Sequence, residues 1–221
     1  MSKYKNILFD ADDTIKDFTR EDNIILQNIH KNLNLDNTLR CKFLNIIDKI
    51  AFMVKNTAIL KTNTNTLDIR LKMYAKILNV DLEGYTKEYY KYLSKYIILF
   101  AGTKKVINYL KANNYNIFFI TNNPTCYKLG MELGFQESNI FVLDGVKKSQ
   151  AIYNILSKYN LKKEETIMVG DNLLEDIYYA KDNGIDAVWI NFEERLYNFF
   201  SKVIKPDYII NNIEELITVL E

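Results

Sequence analysis

One histidine, His30, and two cysteines, Cys41 and Cys126, are all that the 221 residues offer of the side chains most used for covalent and metal chemistry. A lone histidine excludes any site that needs both a catalytic imidazole and an imidazole ligand. Two distant cysteines match no metal-ligand spacing and build no disulfide framework, which fits a reducing compartment. A surplus of one charge is also missing: 29 Lys and Arg stand against 28 Asp and Glu, a formal net charge of +1. A dedicated binder of nucleic acid or anionic membrane would carry a basic excess, so neither is expected as a partner. No apolar run reaches 18 residues, and Met1–Asn6 leads into Ile7-Leu8-Phe9 without a signal-like apolar core. The expected location is the cytoplasm.

What is present is globular. Hydrophobic residues make up 48% and charged residues 26%, unlike a disordered or fibrous chain. At about 150 residues per domain, the length suits roughly one and a half domains. Short apolar runs at Tyr4 to Phe9, Asn116 to Thr121, Asn139 to Leu143, Thr166 to Gly170, Ala187 to Ile190 and Tyr208 to Ile210 read as strands. Helical patterns lie between them. Thr103 is placed to cap one, Pro124 to open another that ends at Gly134, and Ser149 to cap a third bearing Ile152, Leu156 and Tyr159. A fourth runs from about Leu173 to Asn183, ahead of Gly184. This alternation predicts a doubly wound, Rossmann-like α/β core with a parallel sheet, over residues 1–15 and 98–221.

Residues 16–97 break the rhythm. Ile25, Ile29 and Leu33 step by four; Leu39, Phe43, Ile46, Ile50 and Met53, and Leu67, Leu71, Tyr74 and Leu78, alternate steps of four and three. These are the stripes of amphipathic helices, so an all-helical domain is predicted as an insert after the first strand. Thr62 to Thr66 reads as a loop.

Open parallel sheets bind ligands beyond the carboxyl ends of their strands. Those ends carry Asp10, Asp12, Asp13 and Thr14; Thr121, Asn122 and Asn123; Gly145, Lys147 and Lys148; and Asp171, Asn172, Glu175 and Asp176. Asp10, Asp12, Asp171 and Asp176 would put four carboxylates in one crevice, where mutual repulsion forces some to protonate unless a cation intervenes. All-oxygen ligation selects Mg²⁺. A lysine and a threonine hydroxyl opposite the metal suit a dianion such as phosphate. A carboxylate is already ionised at neutral pH and serves as nucleophile without an activating base, which accounts for the scarce histidine.

These residues resemble the haloacid dehalogenase (HAD) superfamily of phosphohydrolases. Ile7-Leu8-Phe9-Asp10-Ala11-Asp12-Asp13-Thr14 is similar to the first family motif, and Phe118-Phe119-Ile120-Thr121-Asn122 to the second. Lys148, with Lys147 as the alternative, supplies the third, and Val169-Gly170-Asp171-Asn172 through Asp176 resembles the fourth. The helical insert is similar to the family's cap domain. The resemblance implies a phosphatase acting on a small phosphate monoester, with Mg²⁺ as cofactor. It makes Asp10 the nucleophile and a metal ligand, and Asp12 the acid and then base, ligating through its carbonyl. Thr121, Asn122 and Lys148 would hold the phosphoryl group, and Asp171 and Asp176 would complete the metal site. Asp12 is expected among like charges, which favour its acid form. Asp13 stands where the motif usually has Gly, and Ser149 where a Pro usually follows the lysine. The Asp13 carboxylate and Gly184 to Asn191 echo bacterial nucleotidases acting on noncanonical pyrimidine nucleotides, so a nucleoside 5′-monophosphate is the first substrate to consider.

Two alternatives share the core residues: a sugar phosphomutase of the same superfamily, and a receiver-like signalling domain phosphorylated on Asp. Away from the motifs, His30 is expected on an exposed helix face and Trp189 in the core. Cys126 is expected to be structural, the tyrosines of 16–97 to pack helices, and Glu193, Glu194 and Arg195 to form a solvated turn.

Overall fold

The computed structural model describes residues 2–33, 66–93, 95–192 and 203–221. Leu39 to Met53, with Cys41 among them, Thr62 to Asn65 and Glu193 to Arg195 lie outside them, and Thr66, expected as the end of a loop, begins a helix. The chain divides into two compact units, Met1–Asp17 with Leu99–Glu221, and Phe18–Ile98.

The first unit is built on a six-stranded sheet of β1 (Asn6–Asp10), β2 (Asn116–Thr121), β3 (Ile140–Val142), β4 (Thr166–Gly170), β5 (Asp186–Ile190) and β6 (Tyr208–Ile210). The strand order is β3-β2-β1-β4-β5-β6, and every neighbouring pair is parallel. Helices α4 (Thr103–Ala112), α5 (Cys126–Glu132), α6 (Lys148–Lys158), α7 (Tyr179–Asp182) and α8 (Glu215–Leu220) connect the strands or follow the last one. Every residue of β1 and β4 is buried. That explains their unbroken apolar sequences: a parallel sheet is covered on both faces. Strand order reverses between β1 and β4, and this switch point opens the crevice in which such sheets take ligands.

Several boundaries move. The first strand ends on Asp10 rather than Phe9, carrying that carboxylate on the sheet itself. Thr103 does not cap α4; Gly102 does, in a left-handed conformation (φ 84°), and a Cβ there would meet the Glu214 side chain at 2.3 Å. The Thr103 hydroxyl instead donates to the Ile15 carbonyl at 3.0 Å. Lys147 caps α6, so Ser149 falls in its first turn. The helix expected over Leu173 to Asn183 begins as a π-helical segment, Leu173–Tyr178, and becomes α-helical only at α7.

In the second unit the described elements are α1 (Phe18–Asn32), α2 (Thr66–Leu78) and α3 (Leu82–Leu93). Ile25, Ile29, Leu71, Tyr74, Leu78, Tyr85, Tyr89 and Leu93 form their common core. Leu33 follows α1 and is exposed. His30 corrects the sequence reading: it is fully buried, with Nε2 3.3 Å from the Tyr85 hydroxyl. Its position one step from Ile29 places it on the apolar face, and a phenol satisfies the imidazole that burial strips of water.

Candidate active site

Asp10 ends β1 with its side chain buried. The chain then folds into a tight turn around Ala11, whose carbonyl accepts N–H bonds from Ile15 (3.0 Å) and Lys16 (3.1 Å). Asp13 closes this turn with a left-handed backbone (φ 57°) and donates its N–H to the Lys16 carbonyl at 2.7 Å. This is the conformation for which glycine is the usual choice, and aspartate is one of the few other residues that adopt it at modest cost. The substitution noted in the motif is therefore accommodated. Thr14, also buried, places its hydroxyl 3.4 Å from Asp10 Oδ2.

Lys148 reaches the same carboxylate from the first turn of α6. Its Nζ lies 2.5 Å from Asp10 Oδ1 and 2.6 Å from Asp176 Oδ1, and all three side chains are buried. Lys147 is exposed, so the structure brings Lys148 and not Lys147 to the carboxylates.

Asp176 comes from the π-helical segment. Asn172 caps that segment, its Oδ1 accepting from the N–H groups of Leu174 (3.0 Å) and Glu175 (3.1 Å). The Asn172 N–H in turn donates to Asp176 Oδ2 at 2.9 Å. This folding-back brings the carboxylate against Gly170, where a Cβ would lie 2.2 Å from Asp176 Oδ2. Glycine is required there because no side chain fits. Asp171 sits between them, half-buried, with its carbonyl accepting the Trp189 indole N–H at 2.8 Å. Trp189 is thus a core residue that also fixes the site's backbone.

Asp10, Asp171 and Asp176 each offer an oxygen within 4.8 Å of the others. The expected fourth member is not with them. The Asp12 carboxylate faces Lys16 Nζ at 3.1 Å and Asn123 Nδ2 at 3.2 Å. Its direct partners are a cation and an amide, while the Asp10 charge acts on it from farther off. Thr121 ends β2, one strand over from Asp10; its hydroxyl oxygen accepts the Asn123 N–H at 3.0 Å. Asn122 is exposed beside it. Cys126 is buried, and burial raises its thiol well above the ordinary range, as suits a structural residue.

Burial pushes the Asp10 carboxyl up to about 8, with the Asp176 and Asp12 charges adding to the rise and Lys148 opposing it. Burial likewise raises Asp176, against Lys148 and the Asn172 N–H. For Lys148 burial favours the neutral amine, but Asp10, Asp176 and Glu175 overcome it and hold the ammonium well above its usual range. Two buried carboxylates therefore share one ammonium, with a third carboxylate at hand. A hard divalent cation fits this all-oxygen donor set and would relieve the surplus negative charge.

Lys16 is the member that sequence reasoning missed, and Asn123, placed with Thr121 and Asn122 at the end of β2, was given no role there. A single lysine after an Asp-rich turn carries no signal of burial, and Asn123 reads as one more polar loop residue.

A family model described as haloacid dehalogenase-like hydrolase matches residues 4–184. The chain is 27% identical to a glyceraldehyde 3-phosphate phosphatase of Pyrococcus furiosus, over all of this chain and 95% of that protein. It is 23% identical to the pyrimidine 5′-nucleotidase PynA of Streptococcus pneumoniae, over 99% and 95%. Its fold matches that of magnesium-bound YfnB from Bacillus subtilis, with a TM-score of 0.81 at 23% identity over 99% of each chain.

Proposed function

The chain belongs to the haloacid dehalogenase-like hydrolase family, and from that premise we propose that it is a Mg²⁺-dependent phosphatase of small phosphate monoesters using Asp10 as nucleophile. One observation carries the reading: a buried carboxylate at the switch point, bonded to a buried ammonium and grouped with two further carboxylates. Hydrolase membership replaces the receiver-like alternative.

The chemistry divides among the side chains. An Asp10 carboxylate oxygen attacks phosphorus, the ester P–O bond breaks, and the leaving oxygen takes a proton from Asp12. In the second step Asp12 removes a proton from water, which attacks the Asp10 acyl-phosphate and releases inorganic phosphate. Lys148 balances the charge on the phosphoryl oxygens, with Thr121 and Asn122 hydrogen-bonding them. Phosphoryl transfer relies on such positioning and charge compensation. Asp10, Asp171, Asp176 and the Asp12 carbonyl would hold the cation, which supplies further compensation for the phosphoryl charge. The named relatives act on a triose phosphate and on pyrimidine nucleotides; this supports a small phosphorylated metabolite as substrate and keeps nucleoside 5′-monophosphates first in the panel.

Turnover of p-nitrophenyl phosphate with Mg²⁺ tests the reading. Steady phosphate release, abolished in Asp10→Asn and reversibly by EDTA, is the expected outcome. Metal-independent turnover, or an Asp10→Asn variant that keeps its rate, would overturn it. A panel of nucleotides and sugar phosphates then ranks substrates by kcat/KM.

A further inference from the structure

We propose that Lys16 and Asn123 are positioning residues that hold the Asp12 carboxylate in its working place; the inference rests on the acid–base role given to Asp12 above. Lys16 is 1% exposed, and a lysine is almost never buried so completely without a paired charge. Its Nζ stands 3.1 Å from Asp12 Oδ1, one helical-turn distance along the same loop. The second support arrives from β2's far end. Asn123 Nδ2 lies 3.2 Å and 3.4 Å from the two Asp12 oxygens.

The orientation of that amide is settled by its other side. Asn123 Oδ1 accepts the Thr125 backbone N–H at 3.1 Å and the Thr125 hydroxyl at 2.6 Å. A backbone N–H only donates, so the oxygen must face Thr125 and the NH₂ must face Asp12. Thr121 steadies the same residue by accepting its backbone N–H. The Cys126 thiol adds a weak contact, with Sγ 3.7 Å from Asp12 Oδ1. Asp12 itself is open, its side chain 31% exposed. The group that must meet substrate and water is thus accessible, while Lys16 and Asn123, which aim it, are buried. Small displacements of a reacting group cost on the order of a hundredfold in rate, so such support belongs to the reaction rather than to packing alone.

The test uses the full chain with Mg²⁺ and a series of substituted phenyl phosphates, from p-nitrophenyl phosphate to unsubstituted phenyl phosphate. A poor leaving group depends on proton donation by Asp12; p-nitrophenolate depends on it far less. Asp12→Asn should therefore lose at least about tenfold more kcat/KM on phenyl phosphate than on p-nitrophenyl phosphate, within the 10²–10⁴ range of acid–base contributions. Lys16→Met should reproduce that bias, Lys16→Arg should recover part of it, and Lys16→Met joined to Asp12→Asn should be no worse than Asp12→Asn. Asn123→Leu provides the same reading if Lys16→Met does not fold. Equal losses on both esters in the Lys16 and Asn123 variants, beside a biased Asp12→Asn, overturn this inference alone. An unbiased Asp12→Asn overturns the acid role of Asp12 and this inference with it.

Discussion

Each unit buries a carboxylate against a cation, and the two arrangements differ in their balance. In the helical unit, the Asp22 carboxylate meets the Arg70 guanidinium at 2.5 Å and the Tyr89 hydroxyl, while Arg70 also bonds Tyr89 at 3.1 Å. The neighbouring Glu21 accepts the Ile98 N–H at 2.7 Å. In the α/β unit, one ammonium on Lys148 faces both Asp10 and Asp176, with Asp171 close by. The first arrangement sets the Asp22 carboxylate against one guanidinium and ties α1 to α2 and α3. The second sets three carboxylates around one ammonium, a feature that packing does not need and that a cation and a dianionic substrate would both exploit. Buried charge is therefore not by itself a sign of function; the imbalance is.

The largest effect should separate two adjacent lysines. Lys148→Ala is expected to lower kcat by about a hundredfold or more, while exposed Lys147→Ala stays within about twofold, in keeping with a solvated surface charge. Steady-state kinetics on any accepted phosphate ester checks both. Comparable losses would remove the distinction between the buried and exposed positions.

Gly170→Ala should injure the unbalanced cluster without touching a charge. Its Cβ would displace Asp176, costing about 1–3 kcal/mol as overpacking and weakening Mg²⁺ binding by calorimetry. Asp22→Asn is the counterpart in the helical unit. It should lower stability by about 1–3 kcal/mol in urea unfolding, by breaking a largely buried ion pair whose arginine keeps some solvent contact. It should leave the Mg²⁺ dissociation constant unchanged.

A further effect is a pH slope. Asp10 binds its proton more tightly in the folded chain (about 8) than its ordinary 3.8. Between these values the folded state holds more protons than the unfolded state, so Asp10 makes stability fall as pH rises from about 4 to about 8. Thermal midpoints measured in EDTA should show that decline, Asp10→Asn should flatten it, and Mg²⁺ should oppose it. A midpoint independent of Asp10 over that range would mean the carboxyl is not strained by burial.

Much of the fold could be read from residue order. Each strand run was short, apolar and followed by polar groups, and the parallel sheet follows from covering both its faces. The positions of Asp10, Lys148, Asp171 and Asp176 at strand or helix ends follow from the same order. What could not be read depends on contacts distant in sequence. Asn123 meets Asp12 across 111 residues, and His30 meets Tyr85 across 55; neither composition nor periodicity carries such pairings. The π-helical segment was hidden because Leu173, Ile177 and Ala180 keep a helical spacing whichever turn type forms. Gly170 was legible as part of a motif, but the reason for it appears only when Asp176 folds back upon it.

Strand β1 sits at the centre of the sheet yet comes first in the chain. Its Asn6 touches Asn116 across 110 residues and Thr166 across 160. During synthesis the Asp10 carboxylate at its end is therefore made early and must wait for both neighbours. Closing such long loops is entropically slow work and sets the pace of folding. Lys148, Asp171 and Asp176 all emerge after β2, so the cluster assembles only when most of the chain exists. A nascent chain carries the parts of this site before they meet, and a cation held by the cluster would bind as one of the last events of folding rather than as a seed for it.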